Sequence, residues 1–369
     1  MRRENHKSRL IIVFCVIIVI VIVGSVLWSN VTHSNFNPVR STKLSCPVHM
    51  EMKQMGSNLV YYDGMDFNCI DADGTERWRY TIGENASFDT ANNCVVGWSG
   101  TQLLIINESG KSTYYNNMGT NIQFAAASEE SVAVVLGENS PANEQTTIMV
   151  INHEGKELEK PTEGFEDRLI LDAGFFGDDH YMWYTSLGLY GVAPTIYLKT
   201  NQVGGNELGS QSMGESTVYE VLSKGNTLYT VDTRNLRKFD YRGIEDAEAE
   251  KITYGWELIA HSNKTQEIGM LFAPVAQNAG MEAFTDLMYL SGDTQKRFIL
   301  PEECVGATLV GDCIYAFASN KIYRVFVDDT YFVGVETKMS QGIKGFHGLL
   351  GSKVALLSTN DALFAVTLP

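Results

Sequence analysis

Two polar turns alternate along this chain, and their recurrence limits what it can fold into more than any other feature. In the first, an apolar strand end runs into Asp or Asn, two polar residues and Gly. It reads "IDADGTE" at 70–76, "INESGK" at 106–111, "INHEGKE" at 151–157 and "FDYRGIE" at 239–245, with looser copies at 197–202, 289–294 and 325–330. The second turn opens onto an apolar strand. It reads "GSNLVYY" from 56, "ANNCVVGW" from 91, "SEESVAVVL" from 128 and "GDDHYMWY" from 177. Four more copies follow: "KGNTLYTV" from 224, "NKTQEIGML" from 263, "VGDCIYAF" from 310 and "LGSKVALL" from 350. Between the turns lie short apolar stretches with no helical periodicity. Copies of the first turn stand roughly 36 to 49 residues apart, the spacing of one four-stranded propeller blade.

Eight copies of the second turn face seven of the first, so one unit lacks its last hairpin. The chain stops at "LFAVTLP" after that unit's third strand, and "STKLSCPVHM" (41–50) is left over before the first unit. A strand over 41–50 predicts closure of the ring, leaving no sheet edge open. The expectation is an all-β, eight-bladed β-propeller over 41–369, with a seven-bladed ring as the alternative. The first turn also raises a question of metal, because Asp71, Asp73 and Glu76 are oxygen ligands around a glycine. In the other clear copies position 73 becomes Ser109, Glu154 and Arg242. An arginine does not ligate calcium, so the turn reads as a hairpin, with no metal and no cofactor.

Arg2, Arg3, Lys7 and Arg9 precede an uncharged apolar run from Leu10 to Trp28. As a helix, that run rises roughly 28 Å, the thickness of a bilayer's hydrocarbon core. The basic flank predicts a single-pass cell-membrane anchor over 10–28, residues 1–9 cytoplasmic, a tether over 29–40 and an extracytoplasmic domain beyond. A cleaved signal peptide is the rival reading, with Val23-Gly24-Ser25 as its cleavage site. The chain carries a formal net charge of −16, and setting aside its basic first nine residues makes the remainder more acidic still. Such a domain repels nucleic acid and anionic headgroups, leaving proteins, cations and neutral ligands as partners. Cys46, Cys69, Cys94, Cys304 and Cys313 lie outside the span without a CxxC, and five is odd, so at least one thiol is free or pairs between chains.

"DADGTERWRY" resembles the repeat of pyrroloquinoline-quinone-type propellers, in which a D-x-x-G turn precedes a tryptophan-bearing strand. The resemblance implies the propeller fold. Catalytic members of that family use adjacent cysteines and a bound calcium, and this sequence has no adjacent cysteines. It is more similar to the non-catalytic members, outer-membrane assembly lipoproteins and single-span bacterial propellers, which implies a scaffold or binding module.

Other chemistry is sparse. No histidine pair has HxH, HxxH or HxxxH spacing, and neither GxSxG nor a P-loop occurs. "GDDH" at 177–180 reads as one more solvated turn. Trp78, Trp98, Trp183 and Trp256 fall on strands as packing between blades. Three loops between second and third strands are long, at 137–147, 185–195 and 273–286, all on one face of the ring. Two carry apolar groups: Leu189, Tyr190 and Val192 in one, Met281 and Phe284 in the other. These five are the candidate binding residues for a protein or cell-envelope component. The expected function is a non-catalytic scaffold. A hydrolase or lyase working in the central channel and a small-ligand sensor are the alternatives. An enzyme would show at least two carboxylates, or a histidine of perturbed pKa, in that channel.

Overall fold

The computed structural model describes residues 39–137, 146–159, 168–188, 193–214, 216–275 and 283–369. The expected anchor over 10–28 lies outside them. Among the described residues, no helix is long and apolar enough to cross a membrane. Five four-stranded antiparallel sheets follow one another at 52–81, 87–117, 122–159, 168–214 and 218–252, here termed first to fifth. A seven-stranded sheet covers 256–336, and a last sheet joins residues 345–367 to the strand Ser41–Lys43.

Middle strands such as Ser131–Gly137, "SVAVVLG", are buried along their whole length. Each sheet lies between two others, so both faces of its middle strands leave water, and continuous apolar runs replace alternation. First strands lie against one another from the first sheet to the fourth and from the seven-stranded sheet to Gly345–Leu350, which meets Met52–Met55. Buried clusters join the fourth, fifth and seven-stranded sheets, so the ring closes. The seven-stranded sheet enters this ring twice. Its strand Thr294–Val310 runs for 17 residues. The first part pairs with Phe284–Ser291, and the part from Cys304 onward pairs with Cys313–Ala318. One strand therefore ends one meander and begins the next, with Pro301 between the two pairings.

The repeated first turn is one hydrogen-bonded device. Asp71 Oδ1 accepts the amides of Asp73 and Thr75, and Gly74 N–H donates back to Asp71 O. Asn107, Asn152 and Asp240 make the same pair of side-chain bonds. Gly74, Gly110, Gly155 and Gly243 sit at φ of 80, 82, 80 and 70°, a region that L side chains rarely enter. Two of these four side chains are neutral asparagines, so the turn needs an acceptor oxygen and not a charge. The hairpin reading of "IDADGTE" rests on that equivalence.

The closing segment is shorter as a strand than 41–50. Only Ser41–Lys43 pairs with Leu363–Thr367, and Leu44 N–H extends the ladder by one bond to Leu363 O. Pro47 cannot donate to a ladder, and a turn from Pro47 O to Met50 N–H takes the chain away. The rest of the segment still packs. Leu44 and Cys46 are buried with Leu59, Ile70, Leu356 and Leu363, a cluster bridging the last and first sheets.

Two features carry no sequence signal. The innermost strands bulge at matching places, between Ile122 and Phe124, Ile170 and Asp172, Val218 and Glu220, Leu258 and Ala260, Cys304 and Gly306, and Phe346 and Gly348. Turns between first and second strands are tied from sheet to sheet. Thr90 Oγ donates to Gln54 O, and Asn93 Nδ2 to Glu129 O. Asp179 accepts from Ser128 Oγ and from Glu130 N–H, so "GDDH", a turn with Gly177, Asp178 and His180 exposed, is also a stitch between sheets.

Candidate functional site

Of the five rim residues expected from sequence, Leu189, Tyr190, Val192 and Met281 lie outside the described residues. Phe284 opens the strand Phe284–Ser291 opposite Cys304 and packs, half-buried, against the cluster containing Leu287, Phe298 and Cys304. Its ring is mostly engaged with the core. The strands also reach further than expected: Tyr181–Gly188 and Thr195–Gln202 consume part of the 185–195 loop. The same face carries other apolar groups that composition did not single out. Ile252, Tyr254 and Ile299 are 76, 75 and 75% exposed, and Val275 is 49% exposed. Val275 N–H donates to Gly255 O, which holds two of the contributing connections side by side.

The central opening holds ionisable groups that sequence reasoning did not find. Asp172 and Glu220 occupy the same place, directly after the bulge, on the innermost strands of the fourth and fifth sheets. Both residues are exposed to water at the opening, while the surrounding strands enclose their carboxyls in part. That burial, reinforced by the charge of Asp89, pushes the Asp172 carboxyl up to about 6. Burial and then the charge of Asp172 raise Glu220. Asp89 is itself tied down, accepting from Lys53 Nζ at 3.1 Å and from Ala127 N–H at 2.9 Å. Burial lowers His261 and His347, and His347 Nε2 lies 2.8 Å from Ser358 Oγ. The bulge register that brings these carboxyls together is a tertiary feature, so no spacing in the sequence could have revealed it.

The carboxyl pair has a consequence for stability. An acid whose folded pKa exceeds its unfolded value of about 3.9 stabilises the fold at low pH and loses that contribution as pH rises. For Asp172 the loss falls between that value and about 6. Asp172→Asn should therefore raise the Tm at pH 7.5, and the difference should vanish near pH 4. Calorimetry showing an equal shift at both pH values would refute the raised pKa of this carboxyl.

Nucleophile chemistry has less support. Cys94 Sγ lies 3.5 Å from His153 Nε2, but that nitrogen is also 3.0 Å from Ser128 O. Burial pushes the Cys94 thiol up to about 12, which disfavours the thiolate that attack requires. Cys46, Cys69, Cys304 and Cys313 are likewise buried and free. No group of three or more His, Cys, Asp or Glu side chains suited to a metal ion occurs among the described residues.

No family model matches the sequence, and no curated protein matches it. Solved structures do. BamB from Moraxella catarrhalis is 11% identical over 90% of this chain and 100% of its own, with a TM-score of 0.53. The C-terminal WD40 domain of Sif2 is 10% identical over 89% of this chain and 99% of its own, at 0.56. Saccharomyces cerevisiae Sqt1 is 10% identical over 91 and 99%, at 0.54. The fold is a β-propeller. At such identities the likeness covers the arrangement of the blades and leaves the propeller's task to be argued from its own surfaces.

Proposed function

We propose that this chain is a membrane-anchored, extracytoplasmic scaffold whose eight-bladed propeller engages a protein or cell-envelope component. Counting the seven-stranded sheet as two meanders joined through Thr294–Val310 supports eight blades. The anchor reading rests on the apolar run over 10–28 and its basic flank. One observation carries the binding reading: Ile252, Tyr254, Val275 and Ile299 stand exposed on the face of the long loops. Exposed apolar side chains gathered on one face of a rigid ring are what a protein partner buries. The tether enters at Ser41, on the opposite face, so this rim points away from the membrane and meets partners first.

Tyr254→Ala with Ile299→Ala should cut partner capture by about tenfold or more, as expected for loss of two interface anchors, with the Tm unchanged. The readout is cross-linking of the full-length chain on intact cells, compared between variant and wild type. Undiminished capture by the folded double variant would sink the rim. A reaction within the central channel is the second reading, favoured by the raised carboxyls of Asp172 and Glu220. In that case Asp172→Asn would abolish function while leaving partner capture intact.

A further inference from the structure

Four residues beyond the turn glycine, each outer strand reaches toward the hairpin of the next blade. From the first sheet, Trp78 packs on Gly110 of the second and donates Nε1–H to Glu108 O at 3.1 Å. From the second, Tyr114 packs on Gly155 of the third. From the third, Glu159 Oε2 accepts Gly204 N–H of the fourth at 3.1 Å. From the fourth, Gly209 lies so close to Arg242 O of the fifth that a Cβ would collide. In the seven-stranded sheet, Lys296 Nζ donates to Val327 O and Asp329 O of the next hairpin at 2.7 and 2.8 Å. These residues share one ladder position, as the pairs Cys69↔Trp78, Ile105↔Tyr114, Val150↔Glu159, Thr200↔Gly209 and Tyr289↔Lys296 show.

The fifth sheet departs from this pattern. Its corresponding residue is Ala247, in the 3-10 turn Ala247–Ala249, outside the ladder and exposed. Where the docking side chain would lie, there is a cleft of about 250 Å³ against the hairpin of the seven-stranded sheet. Its floor repeats the surroundings of Trp78. Val60, Val95 and Ile106 line the Trp78 position, and Tyr229, Met270 and Leu290 take their places here. Its rim is charged. Lys238 is 3.7 Å from Glu267 and Lys251 is 3.6 Å from Asp293. Asp246 and Glu248 also line the cleft and make no ion pair among the described residues.

We infer that this cleft binds an aromatic side chain flanked by basic residues, presented by a partner protein. The fold itself supplies the argument for the aromatic group, because the equivalent positions of the first and second sheets hold Trp78 and Tyr114. An indole or phenol buries a large flat area at a cost of only two torsions and keeps a polar tip for the rim. Flanking lysines or arginines complement the two unmatched carboxylates. The site lies on the opposite face from the Tyr254 rim and goes beyond the scaffold reading, so either can fail alone.

The probe is an N-acetylated, amidated Lys–(5-fluoro-Trp)–Lys peptide, titrated against the full-length chain in detergent and followed by fluorine NMR. The expected Kd is on the order of 1 mM or tighter. Ala249→Trp, which places a ring on a residue that lines the cleft, should weaken binding at least tenfold without lowering the Tm. Asp246→Lys with Glu248→Lys should weaken it several-fold, and Lys–Ala–Lys should not compete. Absence of binding at several millimolar, unchanged affinity in Ala249→Trp, or equal competition by Lys–Ala–Lys would each overturn the proposal. If Ala249→Trp fails to fold, unchanged affinity in the charge variant does so instead.

Discussion

Deleting residues 41–50 from the full-length chain should abolish cooperative unfolding and drive aggregation, rather than trim a tail. The deletion strips Ser41–Lys43 from the outer edge of Leu363–Thr367, exposing a row of unpaired backbone groups that invites pairing between chains. It also removes Leu44 and Cys46 from the cluster joining the last and first sheets. A buried leucine alone contributes about 1.5–3 kcal/mol, and whole domains are stable by only about 5–15 kcal/mol. Leu44 also lies against Gly74 of the first sheet's hairpin, 3.6 Å from where a Cβ would stand, so the blade-to-blade docking crosses this seam too. Losing the strand, the cluster and the docking contact together exceeds what such a ring can absorb. The measurement is thermal unfolding with light scattering. A chain whose propeller starts at Asn58 and melts at the wild-type temperature would overturn closure by this segment.

The second large effect belongs to Trp78→Ala, expected to cost about 3–5 kcal/mol, the range for emptying an aromatic site in a packed core. Trp78 is 8% exposed and sits in the cluster with Cys69, Val95 and Ile106. Gly110 lies so close to it that a Cβ there would collide with the indole, so the two are packed without a gap. The change also leaves Glu108 O without its indole donor. Trp78→Phe retains most of the apolar contact and should cost less, with about 1 kcal/mol of it from the lost hydrogen bond. Urea unfolding would separate the two variants. A Trp78→Ala cost below about 1 kcal/mol would show that docking between blades is incidental to stability. The fifth sheet's Ala247 is the natural counterpart, where the ring does without such a residue and a cleft remains.

Much of the architecture could be read in the sequence because it is encoded locally. The Asx oxygen at Asp71, Asn107, Asn152 and Asp240 and the glycine three residues on specify each hairpin by themselves, whatever packs against it. The period between hairpins then fixes the size of each sheet, and repetition of that unit leaves few ways to bury its faces. "GDDH" shows the limit. Its letters match a solvated turn, yet Asp179 reaches across to the Ser128 turn, about fifty residues earlier, and no local pattern records that distance. Phe284 is a second case: an apolar residue in a long loop reads as rim, and its half-buried place becomes visible only in the register opposite Cys304.

The features tied to binding and chemistry were settled by tertiary structure. Asp172 and Glu220 meet at the central opening because matching bulges shift the register of two innermost strands, and a one-residue slip would turn both side chains away. The cleft beside Ala247 exists because one outer strand gives way to a 3-10 turn against a neighbour that still presents its hairpin. Turn chemistry acts between residues two to four apart, so the sequence displays it. Contacts between blades join residues thirty or more positions apart, and their identities become meaningful only once the ring has set which strands are adjacent.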